Sequence, residues 1–468
     1  MSILSTIRRW VGILTNSKIK DEFDVKPITS DQMERWVQMC VDAYQGNPPW
    51  LDEDEGIDTV NFAKAVCSET ARLAMLATGI HAEGSARADW MQEQIDRIYN
   101  QLRAWVEYGC AYGTVILKPN GAGIDLYKPG EFEITHHQDG KVDGAVFTDS
   151  VEVGDKWYTK LEYHRFLDSG LYAIDNRCYV GASRNSTDER IDIKLTPWAD
   201  MEEEVTISYP HTLFAVLRTP GANNIDLDSP AGLPIFSEAI QELRDLDIAY
   251  SRNSEEITDS RRTVLLDSDA LIATGTKVSN TAAGFEMRRR DLKLPRYVRN
   301  VKGDGQEMFY QEINPTLNTE TRIAGINALL NQIGYKCGFS NGHFVFNEKT
   351  GIQTATQVEA DQQRTIQFIK DVRDRLQSCI TDLCFALSAF ADLYALSPAG
   401  AYELTFDFGD ITYSYEEDKA NWRSYATQGK IPFWYYLVKF EGLTEEEAKA
   451  LVKEAEPKTP ALFGGEQG

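Results

Sequence analysis

Through roughly the first hundred residues the apolar positions recur at helical spacing. From Asp31 to Tyr44 they fall at Met33, Trp36, Val37, Cys40, Val41 and Tyr44, one face of a helix. Asn61–Leu76 repeats the pattern, as does Ala88–Tyr108 through Trp90, Ile95, Ile98, Leu102, Trp105 and Val106. Pro48-Pro49 breaks the chain between the first two helices. The period then changes. Between Gly113 and Leu217 the apolar runs are short (114–117, 131–134, 142–147, 156–166, 171–174 and 211–217). The turn pairs Asn120-Gly121, Asp139-Gly140 and Ser169-Gly170 divide them, which predicts β-hairpins.

Helical spacing returns after Ser229-Pro230 and Pro234, where a missing N–H costs little. The predicted helix runs to Arg262, with Ile235, Ile240, Leu243, Leu246 and Ile257 as its apolar positions. Around them stand Glu238, Glu242, Asp245, Asp247, Glu255, Glu256 and Asp259. A stripe this thin cannot bury a broad face within one subunit. It suits packing among like helices of other copies, with the acidic face in solvent. Residues 263–317 read as strands and turns. Asn318 or Thr319 then caps a helix to Tyr335. Gly338, Gly342 and Gly351 surround His343-Phe344-Val345-Phe346, predicting a flexible loop or small hairpin. The longest helix spans Thr354–Leu393, with Thr356 and Glu359 as a capping box; at 1.5 Å per residue it would reach about 60 Å. A strand at Tyr402–Phe408 and short helices at 416–427, 432–440 and 444–454 complete an α+β chain.

Charge changes this picture in one place. The 468 residues carry 48 Lys and Arg against 72 Asp and Glu, a net of -24. That balance gives a well-solvated surface, or a wall that DNA does not stick to, since a basic wall would hold phosphate. Between Arg261 and Asp304 the sign inverts, with ten basic residues against five acidic ones. Arg288, Arg289, Arg290, Lys293, Arg296 and Arg299 mark that surface. It is a solvated loop, a dock for an acidic partner, or a phosphate-contacting rim. No helix-turn-helix or aromatic-basic alternation accompanies it, which argues against base-specific DNA reading.

Enzymatic constellations are not visible. There is no P-loop, HExxH or GxSxG pattern, and Gly109–Gly113 lacks the preceding strand a nucleotide loop needs. His136-His137, the one histidine pair, is expected in a surface turn; on a strand the two would point to opposite faces and could not easily share a metal. Asp245 and Asp247 diverge by about 200° on a helix and are expected on a solvated face. Seven scattered cysteines without a CxxC pair predict reduced thiols and no zinc or redox motif. Cofactors are therefore not expected. Met1–Leu14 is amphipathic, with Arg8 and Arg9 interrupting its apolar face; it predicts a docking helix rather than a signal peptide or membrane anchor. No run of about 18 apolar residues predicts a membrane span.

Thr350-Gly351-Ile352-Gln353-Thr354-Ala355-Thr356-Gln357-Val358 resembles the approach to the long helix in portal proteins of tailed bacteriophages, with Gln357 where that family more often has Glu. Gln428-Gly429-Lys430-Ile431-Pro432 with Tyr435, then Glu441–Ala448, is similar to the family's tail. The likeness covers Ser229 to about Glu456, close to half the chain. It implies a portal-type α+β subunit: an N-terminal α/β wing at 1–228, a stem helix at 229–262 and a small β-containing clip at 263–317. A second stem helix would follow at 318–336, a channel loop at 337–353, the long helix at 354–398 and a wing or crown region at 399–468. It further implies a homo-oligomeric ring, of twelve copies in that family, at one capsid vertex of the virion, assembled in the host cytoplasm. Such a ring has no catalytic activity, cofactor or membrane contact. Its partners would be the terminase large subunit, a head-completion adaptor, the major capsid and scaffolding proteins, and double-stranded DNA passing without sequence preference. Arg288, Arg289, Arg290, Lys293, Arg296 and Arg299 would lie in the partner-binding clip, and His343, Phe344 and Lys349 in the loop bordering DNA. The residues alone leave two alternatives open: an oligomeric virion protein without a DNA path, and a hydrolase assembling carboxylates from distant parts of the chain.

Overall fold

The computed structural model describes residues 18–260 apart from 53 and 122, strands at 263–267, 297–301 and 310–313, and residues 317–345, 355–409, 415–428, 430–441 and 443–455. The amphipathic segment at Met1–Leu14 lies outside the described residues. The chain divides into two compact units, Met1–Asp407 and Phe408–Gly468.

The first unit is a mixed helix-and-sheet body, as an α+β chain should be. Helix α1 is Asp31–Tyr44, α2 is Phe62–Ala74 and α3 is Ala86–Tyr112. Ser30 caps α1, its hydroxyl accepting from Met33 N at 3.2 Å, and the predicted face is buried through Met33, Val37, Cys40 and Val41. The chain leaves α3 at Gly113, whose φ is +80° and where a Cβ would stand 2.4 Å from the Gly232 carbonyl, so only glycine fits. Strand β1 is Gly79–Glu83, inside a stretch expected to be helical. Its five residues pair with a strand more than three hundred positions later, a contact that no local period announces.

The β-rich stretch forms two antiparallel sheets. Strands β2 (Thr114–Pro119), β3 (Ile124–Tyr127) and β10 (Ala215–Arg218) make a three-stranded sheet with β2 in the middle. Strands β4 (Phe132–Gln138), β5 (Lys141–Val153), β6 (Lys156–Phe166), β7 (Tyr172–Gly181) and β8 (Glu189–Ile191) lie in chain order, and β9 (Glu204–Ile207) also pairs with β7. One core cluster packs Ile19, Val146, Leu161, Tyr163 and Tyr179 against Phe23 and Val25. The histidine pair is corrected here: His136 and His137 sit within β4, at a register irregularity, and His136 Nδ1 is 2.5 Å from Asp143 Oδ1.

Helix α4 begins at Ile240, after a 3-10 turn at Ser237–Ala239, later than Pro234 suggested, and ends at Asp259. The preceding segment cannot coil because it is stitched across the end of α3. Gly232 N donates to Thr114 Oγ1 at 2.8 Å, Ile235 N to Cys110 O at 3.0 Å, and Thr219 Oγ1 to Leu233 O at 2.7 Å. Strands β11 (Thr263–Asp267), β12 (Tyr297–Val301) and β13 (Tyr310–Ile313) follow, then α5 (Thr319–Lys336) and α6 (Ala355–Leu393). Helix α6 starts one residue before Thr356, so that threonine lies inside the helix rather than capping it. Strand β14 (Glu403–Asp407) pairs antiparallel with β1.

Helix α6 lies over β2 and β10 and against α2 and α3. Its stretch Gln362–Leu393 is long and apolar enough to cross a membrane, yet half of its most apolar window is buried. Two buried arginines fix it in place. Arg373, 6% exposed, donates to the carbonyls of Leu73, Ala74 and Leu76 at 2.9–3.2 Å and so caps the C-terminus of α2. Arg87, 1% exposed in the first turn of α3, closes the C-terminus of α6 through Ser388 O, Ser397 O and Pro398 O. All seven cysteines are free and buried.

The second unit holds α7 (Tyr415–Thr427), α8 (Phe433–Glu441) and α9 (Glu445–Ala455). They pack around Ala426, Tyr436 and Phe440, with Trp422, Ile431 and Leu437 at the margin. A capping box does form here: Thr444 Oγ1 and N donate to Glu447 Oε2 at 2.7 and 3.0 Å, and Glu447 N returns to Thr444 Oγ1 at 3.4 Å.

Candidate functional site: a helix pair carrying a strand unit

Helices α4 and α5 pack side by side and antiparallel. Near the start of α4, Glu242 Oε1 receives Lys336 Nζ at 2.7 Å and Gln332 Nε2 at 2.9 Å. Fourteen residues further on, Glu256 receives Asn318 N at 3.1 Å and pairs with Arg322, each partner fourteen residues earlier in α5. The two helices therefore stay in lockstep over about four turns, roughly 21 Å. Three of the seven acids expected in solvent are engaged here. Glu242 and Glu256 bind the sister helix. Asp247, expected on a solvated face, is 3% exposed and accepts from Trp50 Nε1 and Val60 N, both at 2.9 Å. Burial raises its pKa, and those two hydrogen bonds offset part of the rise. The signal was present in the sequence: Asp247 stands four residues after Leu243 and one after Leu246, on the apolar stripe itself.

Exposed large apolar side chains cluster toward the strand end of the pair, with Tyr335 at the other end also 53% exposed. The proximal positions Ile240, Leu243, Leu246, Ile326, Leu330 and Ile333 are buried. Toward the strand unit, Tyr250, Ile257, Leu317 and Ile323 are 37–54% exposed. The strand unit is inserted at that end, since α4 leads into β11 and β13 leads into α5. Within it β11 is central, parallel to β12 and antiparallel to β13.

Of the predicted partner-docking residues, Arg299 falls in β12, opposite Leu265 of β11. Arg288, Arg289, Arg290, Lys293 and Arg296 lie outside the described residues, as does Lys349 of the loop. The loop residues His343 and Phe344 are described, and they are not free. Phe344 packs edge-on against Phe62 of α2 with ring centroids 5.2 Å apart, and against Phe339 at 4.8 Å. His343 Nε2 is 3.3 Å from Glu69 Oε1. Burial would raise the Glu69 carboxyl, but Arg72 and His343 hold it at about 2. Gly338 permits this close seating, because its φ of +93° and a would-be Cβ 2.6 Å from the Phe368 ring admit no side chain. Residues 338–345, the described part of the stretch expected as a flexible loop or small hairpin, are held against α2 by an aromatic cluster that glycine spacing does not reveal.

A second polar assembly lies inside the sheets. Glu162 receives Lys118 Nζ at 2.8 Å, Lys160 Nζ at 2.6 Å and His164 Nε2 at 2.7 Å, and all four side chains are at most 7% exposed. Lys160 also meets Asp149 Oδ2 at 3.1 Å, and His164 Nδ1 meets Tyr172 OH at 2.9 Å. Burial alone would raise the Glu162 carboxyl, but the two lysines and His164 hold it well below the usual range. Both of its oxygens are engaged by these three partners, so the cluster couples β2 to β6. Among the described residues no group of three or more His, Cys, Asp or Glu is placed to hold a metal ion. No protein-family model matches the chain, and no curated protein matches it.

Proposed function

We propose that this chain is the ring-forming portal subunit of a tailed bacteriophage, a structural conduit for double-stranded DNA without catalytic activity. The observation that carries this is the antiparallel pair α4 and α5 with a three-stranded unit inserted at its tip, followed by the 39-residue helix α6. In that assignment the pair is the stem, the strand unit is the clip that meets the terminase and the adaptor, and α6 spans the wing. The exposed Tyr250, Ile257, Leu317 and Ile323 are covered by neighbouring copies in a closed ring. A net charge of -24 keeps a lumen from holding phosphate, so DNA slides. Capsid and scaffolding proteins contact the outer body, and the assembled ring sits at one vertex of the virion.

Native mass spectrometry with negative-stain imaging tests the proposal. The expected result is a closed ring, near twelve copies, around an axial hole wide enough for duplex DNA. A chain that stays monomeric at concentrations on the order of tens of micromolar, well above the Kd of a stable interface, overturns it. An oligomer without a hole assigns the chain to virion proteins that lack a DNA path.

A further inference from the structure

A cleft of about 620 Å³ opens between the turn joining β4 to β5, the strand β10 and the middle of α6. Val142, Phe214 and Val216 give it an apolar lining, and Arg218 and Arg375 reach it from β10 and α6. Arg218 commits one nitrogen to the Pro230 carbonyl at 2.7 Å. Among the described residues neither guanidinium forms an ion pair. The lining also holds three carboxylates: Asp382 is held by Lys141 Nζ at 2.8 Å, and Asp139 and Asp374, both exposed, form no ion pair with either arginine among the described residues. Three hydroxyls of the lining are also committed. Thr212 donates to Phe214 O at 2.9 Å, Ser378 to Asp374 O at 2.9 Å and Thr381 to Gln377 O at 2.8 Å.

What remains is a donor surplus with two like charges. Arg218 is half-buried, and burial together with Arg375 pushes its pKa down. Two guanidinium forks sharing a partly desolvated cleft repel each other, and an anion with several oxygens relieves that repulsion while taking a bidentate edge from each. The volume is in the range of sites for small ligands or single side chains. We propose that this cleft binds an oxyanion, a phosphate or carboxylate group bridged between Arg218 and Arg375, with the ligand's apolar part against Phe214 and Val216. The site does not depend on the proposed stem, because none of its lining residues belongs to α4 or α5.

Titration calorimetry of the full-length chain with inorganic phosphate, and separately with succinate, tests this. Saturable binding is expected, with a Kd on the order of 0.1–1 mM for at least one of the two anions. The preference between them tells a phosphate ligand from a carboxylate one. Arg375→Gln should weaken binding by about tenfold or more, since it removes a charge-assisted pair of hydrogen bonds, and Arg375→Lys should recover part of the loss. Circular dichroism confirms that each variant is folded. Absence of saturation up to about 10 mM of both anions, at least ten times the expected Kd, overturns the site, as does a folded Arg375→Gln protein that binds like the parent.

Discussion

Arg87 Nη2 stands 2.6 Å from Asp392 Oδ1, joining the first turn of α3 to the last turn of α6 across 305 positions of sequence. The same guanidinium satisfies the carbonyls of Ser388, Ser397 and Pro398. Asp392 is 56% exposed, so the ion pair itself contributes little; the carbonyls are the larger part. Arg87→Met keeps the volume and removes the donors. The expected loss is about 3 kcal/mol in urea unfolding. A loss below about 1 kcal/mol, the usual net worth of one hydrogen bond, would show that those carbonyls find other partners.

The apolar end of the helix pair separates assembly from folding. Ile257→Asp with Ile323→Asp changes two side chains that are 54% and 37% exposed in the single subunit. Monomer stability should move by only about 0.5 kcal/mol, as for ordinary surface substitutions. The ring population, read by analytical ultracentrifugation, should fall by an order of magnitude or more if neighbours bury these positions. Rings of parental abundance would remove this surface from the interface.

The buried charge cluster predicts acid sensitivity. His164 is held below its ordinary value near 6.5, first by burial, with Glu162 opposing the shift. In the unfolded chain the imidazole takes a proton as pH falls through about 6.5, while the folded one refuses it, so stability declines from there downward. Glu162 adds a second loss at lower pH, because its depressed carboxyl contributes stability above about 4.5 that disappears as pH falls toward its folded value. Melting temperature should therefore drop between pH 7 and 5, roughly the span of the histidine step, and His164→Asn should flatten that part of the profile. Glu162→Gln leaves Lys118 and Lys160 buried without their central counter-charge and should cost about 3–5 kcal/mol at neutral pH.

If the chain is a portal subunit as proposed, the basic run in the segment between the helix-pair ends contacts the packaging motor or adaptor. Arg288→Glu with Arg290→Glu should leave ring formation intact and reduce docking of those partners, measured by co-sedimentation and by DNA packaging. Normal packaging by the variant would place the docking surface elsewhere.

Helix periods were legible where one face is buried locally. Asp31–Tyr44 is a helix to the residue, and Lys156–Phe166 is a strand to the residue. What escaped depends on partners far along the chain. Strand β1 is defined by β14, the late start of α4 by bonds to the end of α3, and the burial of Asp247 by Trp50 and Val60. The cleft between Arg218 and Arg375 joins residues from a strand and a helix with no shared motif. For the candidate site, the order of helix, strands and helix was readable, but the seating of His343 and Phe344 on α2 was not, because an aromatic cluster from three segments creates it.

The register of α4 and α5 is held by contacts of the pair itself, at Glu242 and again at Glu256. Nothing in those contacts asks how many residues lie between position 260 and position 318. Insertions, deletions or wholesale exchange of that segment can accumulate while these inter-helix contacts hold the pair in register, so what the segment presents can diversify as the pair beneath it stays constant.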